Sequence, residues 1–152
     1  METKYRDYFS FESIRDKEGE VVCYHVTMIG TIEEDPHEYV EEDQRRVFGK
    51  LTIHNQNKKI NTLLQETNAR VYYYDNTYLE GSVNIVRFAA HKHHADEVLA
   101  FEKDDRVLIE GRAYLRKAND DRLPELTVTV VGTFKLGRKR TVFEKRDLVP
   151  QE

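Results

Sequence analysis

The stretch that decides the fold runs from Val83 to Arg112 and reads VNIVRFAAHKHHADEVLAFEKDDRVLIEGR. Its first part, Val83 to Ala90, is rich in apolar and β-branched residues, as is typical of a half-buried strand. Ala95, Val98 and Leu99 then recur at helical spacing and predict one short helix. After a polar turn the period returns to two, which predicts a second strand. The order is therefore strand, helix, strand.

The second of these strands separates two kinds of side chain. It is predicted from Arg106 to Lys117, and alternate residues of a strand point to opposite sides. One side carries Val107, Ile109, Gly111, Ala113 and Leu115, and the other carries Arg106, Leu108, Glu110, Arg112, Tyr114 and Arg116. One side packs a core while the other offers cations and a ring. This pattern indicates a binding surface rather than a catalytic pocket.

The rest of the chain supplies three more predicted strands. They span Val21–Ile32, Val47–His54 and Glu125–Lys135. A hairpin arm is expected from Ala69 to Ser82, and Ile60, Leu63 and Leu64 predict a short helix between Asn57 and Glu66. Five strands with one helix between the third and the fourth predict an all-β OB-fold barrel.

The 152 residues suggest one domain with short additions at each end. We expect an N-terminal extension at 1–20, the OB-fold domain at 21–140 and a short tail at 141–152. The extension carries Tyr5, Tyr8, Phe9, Phe11 and Ile14, which is too apolar for a free tail. It either packs on its own barrel or docks as an arm on a neighbouring subunit.

Three motifs in register resemble the bacterial single-stranded DNA-binding protein family. The first is the helix and turn of the deciding stretch, followed by Ile109-Glu110-Gly111-Arg112. The second is Ile29-Gly30-Thr31-Ile32 followed by the Asp35-Pro36-His37-Glu38-Tyr39 turn, and the third is the Leu126–Gly137 segment. The resemblance covers about Val21 to Arg140. It implies an OB fold, binding of single-stranded DNA without base specificity, and a homo-oligomer, either a dimer or a tetramer.

The sequence departs from the family pattern at its stacking positions. The chain has no Trp, and Ile85, His91 and Ala118 stand where the family commonly has aromatic residues. Lys92 replaces the usual glycine. The long linker and acidic tip that usually end the family's chains are not present either. These departures suggest a specialised paralogue, from a phage or a plasmid, that coats DNA in replication, recombination or transfer.

The net charge of −4 hides a polarised distribution. Seven acids and no Lys or Arg occur between Thr31 and Asp43, in a segment that Pro36 makes turn-like. Basic residues follow at once, and further ones lie on the predicted strands. A groove that follows the DNA backbone needs such cations. The candidate DNA-binding cations are Arg45, Arg46, Lys50, Lys58, Lys59, Arg87, His91, Lys92, Arg112, Arg116 and Lys117.

Tyrosine rings are the other candidate DNA contacts. Each base stacked on an aromatic ring contributes about 1–3 kcal/mol. Tyr72, Tyr74, Tyr78 and Tyr114 are the candidates, although tyrosine is also common in ordinary strands. On one strand Tyr72 and Tyr74 point one way and Tyr73 the other, so only part of the run faces one ligand.

Other classes of function are weighed against DNA binding. His91, His93 and His94 suggest a metal site, but a zinc site needs three or four converging ligands, so surface histidines and no cofactor are expected. The acids before Asp43 suggest a magnesium-dependent nuclease, but no nucleophile or phosphate-binding loop accompanies them, so no enzyme is expected. The remaining alternative is an OB module that binds a protein partner or RNA. Without a long apolar run or a signal peptide, we expect no membrane contact and a cytoplasmic protein.

Overall fold

The computed structural model describes residues 6–67, 72–74, 83–116 and 125–138. In chain order the elements are β1 (Tyr8–Arg15), β2 (Val21–Ile32), β3 (His37–Glu41), β4 (Gln44–His54), α1 (Asn57–Thr67), β5 (Tyr72–Tyr74), β6 (Val83–His91), α2 (His93–Leu99), β7 (Asp105–Arg116) and β8 (Glu125–Arg138). All five predicted barrel strands and both predicted helices are confirmed, with ends that differ by at most three residues. Neither described helix is long and apolar enough to cross a membrane.

Five strands form a closed barrel in the order β2, β4, β6, β8, β7 and back to β2. Closure comes from Thr31 and Ile32 of β2, which pair with Thr52 and Leu51 of β4. The pairing of β6 with β8 is parallel, and the other barrel pairings are antiparallel. This is the Greek-key order of an OB fold, with α2 between its third and fourth strands. The predicted fold class is therefore confirmed.

Alternation along the strands fills the barrel. Most alternate residues of each barrel strand are apolar and point inward, which explains the hydrophobic periodicity of two. The buried inward residues include Val26, Met28, Ile32, Val47, Leu51, Ile53, Val86, Phe88, Ala90, Val107, Ile109, Val128 and Val130. Ala95 and Val98 of α2 join the same core, as the predicted apolar stripe requires. Ile60 and Leu63 of α1 do the same.

Two inward glycines leave room for their neighbours. A Cβ on Gly49 would overlap the ring of Phe88, so this glycine lets the largest core side chain of β6 lie across β4. A Cβ on Gly111 would overlap the Thr129 carbonyl and lie 2.6 Å from Val128 Cγ1. The glycine of the Ile-Glu-Gly-Arg motif is therefore required by the close approach of β7 and β8.

Three strands lie outside the predicted set. β1 pairs with β2 over Tyr8–Ile29 to Arg15–Val21, so this part of the N-terminal extension packs on its own barrel, the first of the two alternatives. β3 pairs with β4 as a hairpin, where the sequence suggested only a turn-like segment after Pro36. β5 pairs with β6. The rest of the expected arm up to Ser82, the tail after Arg138, and Tyr78 and Lys117 lie outside the described residues.

Asp7, just before β1, joins the extension to the barrel. Its side chain is only 7% exposed. One carboxylate oxygen accepts a hydrogen bond from the backbone N–H of His54 at 2.7 Å. The same oxygen lies 3.0 Å from Nδ1 of the His54 ring. The other accepts a bond from Arg106 Nη1 at 2.5 Å. Burial alone would raise the pKa of Asp7, but the bonds from His54 and Arg106 outweigh it and lower the pKa below 3.8.

Replacing Asp7 with Asn should lower the free energy of unfolding by about 2 kcal/mol at neutral pH, because a hydrogen-bonded charged group is lost. A lowered native pKa means that this stabilisation is present above the unfolded pKa of about 3.9 and is lost as pH falls through the native pKa. Urea unfolding of both proteins at a series of pH values measures the difference. Asp104→Asn, at an exposed turn, is the control and should change stability by less than about 0.5 kcal/mol. A difference that stays constant down to the lowest pH would contradict the role of the Asp7 charge.

Candidate nucleic-acid interface

Cations and aromatic rings lie in rows on the outer surface of β3, β4 and β6, which we call the binding face. Tyr39 pairs with Arg46 across β3 and β4, and Arg46 pairs with His91 across β4 and β6. Directly paired residues of neighbouring strands project to the same side. A phenol ring, a guanidinium and an imidazole therefore lie side by side. Strands two and three of an OB fold, here β4 and β6, are the surface on which this fold binds oligonucleotides.

A second row crosses the binding face and continues around the barrel. His37 pairs with Phe48, Phe48 with Ala89, Ala89 with Thr129 and Thr129 with Arg112. The middle of this row is small, because Ala89 and Thr129 project little beyond the sheet. The Phe48 ring borders this shallow part of the surface on one side, and the exposed guanidinium of Arg112 borders it on the other. A flexible chain can lie close to the backbone of β6 and β8 here.

Two aromatic rings stand out on the binding face. Tyr39 is 58% exposed and Phe48 is 37% exposed. Their ring centroids are 5.5 Å apart with planes at 69°, an edge-to-face contact. Neither residue was among the predicted site residues. The signal for Phe48 was available, since alternation that buries Val47 and Gly49 leaves the ring between them on the outside.

Arg45 and Arg46 are neighbours in sequence but lie on opposite sides of β4. The guanidinium of Arg45 forms an ion pair with Glu38 of β3 and lies 2.6 Å from Asp96 of α2. The hydrogen bonds to Asp96 and Glu38 raise the pKa of Arg45 above its ordinary value. Arg45 thus ties the β3–β4 hairpin to α2, while Arg46 is exposed on the binding face.

The other predicted cations fall into three groups. Lys50 and Arg87 are a half-buried pair across β4 and β6 on the binding face. Exposed Lys92 follows His91 at the end of β6. Lys58 and Lys59 are exposed at the start of α1, with the Lys59 ammonium 5.4 Å from the centroid of the Tyr8 ring, so they lie beside β1 and not in the row of Arg46 and His91.

The structure places the backbone of four further predicted residues. Tyr114 and Arg116 are in β7, where Tyr114 pairs with Thr127 and Arg116 with Glu125. Tyr72 and Tyr74 are in β5 and pair with Ile85 and Val83 of β6. These four backbone positions are therefore in the sheet that forms the binding face, and a role for their side chains stays a prediction.

The histidines near α2 make local contacts. His94 Nδ1 lies 3.1 Å from Glu97 Oε1, and the rings of His93 and His94 have centroids 4.0 Å apart. Among the described residues, no three or more His, Cys, Asp or Glu side chains converge in a way that would hold a metal ion. His91 belongs to the binding face instead. Burial, together with the positive charges of Arg46 and Lys92, lowers its pKa below 6.5.

Comparison with known proteins gives a likeness at the level of structure. The fold is similar to that of a small single-stranded DNA-binding protein from Streptomyces coelicolor, with a TM-score of 0.51 and 14% sequence identity. The superposition covers 73% of this chain and 92% of that one. No protein-family model matches the sequence, and no curated protein matches it either. At this identity the likeness supports the fold.

Proposed function

We propose that this protein binds single-stranded DNA of any sequence and protects it during replication, recombination or transfer. The observation that carries the proposal is the row of Tyr39, Arg46 and His91 on the oligonucleotide-binding surface of an OB fold. The name of the similar Streptomyces coelicolor protein supports the same kind of ligand.

In the proposed mechanism, cations contact the phosphates and aromatic rings stack with the bases. Arg46 and Lys92 are exposed, so both contact phosphates and release counterions, with Lys50, Arg87 and Arg112 along the same path. The rings of Tyr39 and Phe48 stack with bases, which every base allows because each has a π-face. No bond is made or broken. In this mechanism two rings of the β3–β4 hairpin take the stacking role of the tryptophans that the sequence lacks. Tyr72, Tyr74 and Tyr78 also remain candidates.

Removing both exposed cations should weaken binding and flatten its salt dependence. Log affinity for single strands falls with log salt by about 0.7 per phosphate contact. The Arg46→Gln/Lys92→Gln variant should therefore show a slope about 1.4 smaller in magnitude than the wild type, by anisotropy titrations of labelled oligo(dT) at several salt concentrations. Lys17→Gln/Lys103→Gln removes two exposed charges elsewhere and is the matched control.

The same titrations separate DNA coating from the other class of function. A module that binds a protein partner should shift no oligo(dT) at any salt concentration. An RNA-binding module should prefer oligo(U), because only RNA offers the 2′-hydroxyl. Equal slopes of log affinity against log salt for the wild type and the Arg46→Gln/Lys92→Gln variant would exclude the binding face as the surface that contacts DNA.

Binding should tighten as pH falls below about 6.5, because His91 becomes a cation beside the phosphates. The lowered pKa keeps the ring neutral at neutral pH, so the gain comes on the acid side of 6.5. His37 is a second imidazole exposed on the same face, 3.6 Å from Glu34. The readout is therefore the difference between the wild type and His91→Gln in affinity against pH. Parallel profiles for the two proteins would exclude His91 as a contact.

Self-association is the second part of the proposal, with a second copy of this chain as the partner. Tyr8, Ile29, Leu108 and Phe134 pair in turn across β1, β2, β7 and β8 and form an apolar row on the outer surface. Phe134 is 63% exposed. The row has a ring at each end and aliphatic side chains in its middle, so a two-fold axis sets ring on ring and aliphatic on aliphatic.

Phe134→Ser should reduce the solution mass measured by light scattering from that of an oligomer to that of one chain, because the exposed ring supplies much of the contact. Val40→Ser removes an equally exposed apolar side chain from β3 and should leave the mass unchanged. A wild-type protein that is already a single chain at every concentration would end this part of the proposal.

A further inference from the structure

The β3–β4 hairpin carries a groove that shares Arg46 with the proposed phosphate path and extends beyond it to the tip of the hairpin. Its volume is about 440 Å³, within the range of small-molecule sites. The residues that line it are Tyr39, Glu41, Glu42, Gln44, Arg46 and Phe48. Two flat rings, one guanidinium, one amide and two carboxylates therefore share a single concave surface.

The order of these groups along the hairpin follows from its pairing. His37 pairs with Phe48 nearest the barrel, Tyr39 pairs with Arg46 next, and Glu41 pairs with Gln44 nearest the tip. The groove is consequently aromatic at its barrel end and polar at its tip. A planar molecule that stacks on the rings would present its edge to Glu41 and Gln44.

The charges of the groove exclude a phosphate from its outer end. Glu41 and Glu42 bring two negative charges against the one positive charge of Arg46. Like charges at close range repel, so the DNA backbone follows the cations of β4 and β6. A neutral base, in contrast, is not repelled. The groove is thus suited to a base, while the phosphates lie on Arg46, Lys92 and Arg87.

The polar end also discriminates between bases. A carboxylate only accepts hydrogen bonds, and an amide both donates and accepts. Cytosine and adenine each present an amino donor beside a ring-nitrogen acceptor, which Glu41 and Gln44 complement. Thymine has no amino group, and its one donor on this edge, the N3–H, lies between two carbonyl oxygens that a carboxylate repels. Acidic side chains accept from the cytosine amino group in the same way in known complexes.

We propose that this groove is a base pocket that selects cytosine or adenine over thymine at one nucleotide of the bound strand. The proposal rests on the function proposed above and narrows it. Coating of any sequence remains, since the other nucleotides are held by their phosphates and by stacking. One position within each site acquires a preference.

The test compares two pyrimidine oligonucleotides, so that ring size and stacking are matched. The probes are labelled oligo(dT) and an alternating dT/dC strand, each of about 16 nucleotides, the upper end of the site size of one OB fold. Anisotropy titrations at neutral pH give the ratio of the two affinities. We expect the wild type to bind the cytosine-containing strand at least about fivefold more tightly, the lower end of what one well-made base contact provides.

A pair of variants assigns the preference to the groove. Glu41→Met/Glu42→Met removes both acceptors and should bring the ratio of affinities to about one, while the loss of negative charge changes both affinities alike. Glu18→Met/Glu20→Met removes two exposed acids from the β1–β2 turn and should keep the wild-type ratio. The ratio is insensitive to a general change in charge, and all four residues are exposed in or next to a turn between two strands.

Each result of the test has one meaning. A ratio that falls to one only in the Glu41→Met/Glu42→Met variant supports the base pocket. A wild-type ratio of one, with tight binding of both strands, overturns the pocket and leaves the proposed function standing. A preference that survives in the Glu41→Met/Glu42→Met variant places its origin elsewhere and also overturns the pocket. No binding of either strand overturns both proposals together.

Discussion

Closure of the sheet is the constraint on which the rest of this structure depends. The short pairing of Thr31 and Ile32 with Thr52 and Leu51 joins the first barrel strand to the second and leaves one enclosed interior. Inward positions are then filled by apolar side chains, and each outward position is fixed by the same alternation. Arg46, Phe48 and His91 are on the surface because Val47, Gly49 and Ala90 are inside. The binding face is a consequence of how the core is packed.

The barrel itself was predictable because its signals are local. Period-two patterns in β2, β4 and β6 to β8 mark each strand, and the apolar stripe of Ala95 and Val98 marks α2. Gly111 illustrates the same point at one residue, since its place in a motif is explained by the approach of the Thr129 carbonyl. Short-range pattern and long-range packing agree at such positions.

The hairpin and the role of each cation were not predictable, because both depend on partners distant in sequence. β3 is exposed along its whole length, so it lacks the alternation that would mark it as a strand. Arg45 and Arg46 look equivalent in the sequence, yet Asp96, 51 residues away, holds only the first of them. Tyr39 becomes a candidate contact only when the pairing with Arg46 is known. Composition identified the basic segment, but not the side on which each charge lies.

The hairpin also resolves the apparent conflict between an acidic chain and the proposed nucleic-acid ligand. A net charge describes the far field, whereas a ligand at contact distance responds to charges within about 10 Å, the Debye length at moderate salt. The acids of the Glu33–Asp43 segment are divided among several tasks. Glu33 accepts a hydrogen bond from Thr52 at 2.5 Å, Glu38 pairs with Arg45, and Asp35 accepts one from the backbone of Lys103 at 2.8 Å. These acids position the hairpin. In the proposed mode of binding, those at its tip keep phosphates on the cationic strands and away from the ring-lined groove. In the proposed function, negative charge in this segment therefore directs the path of the strand instead of opposing its binding.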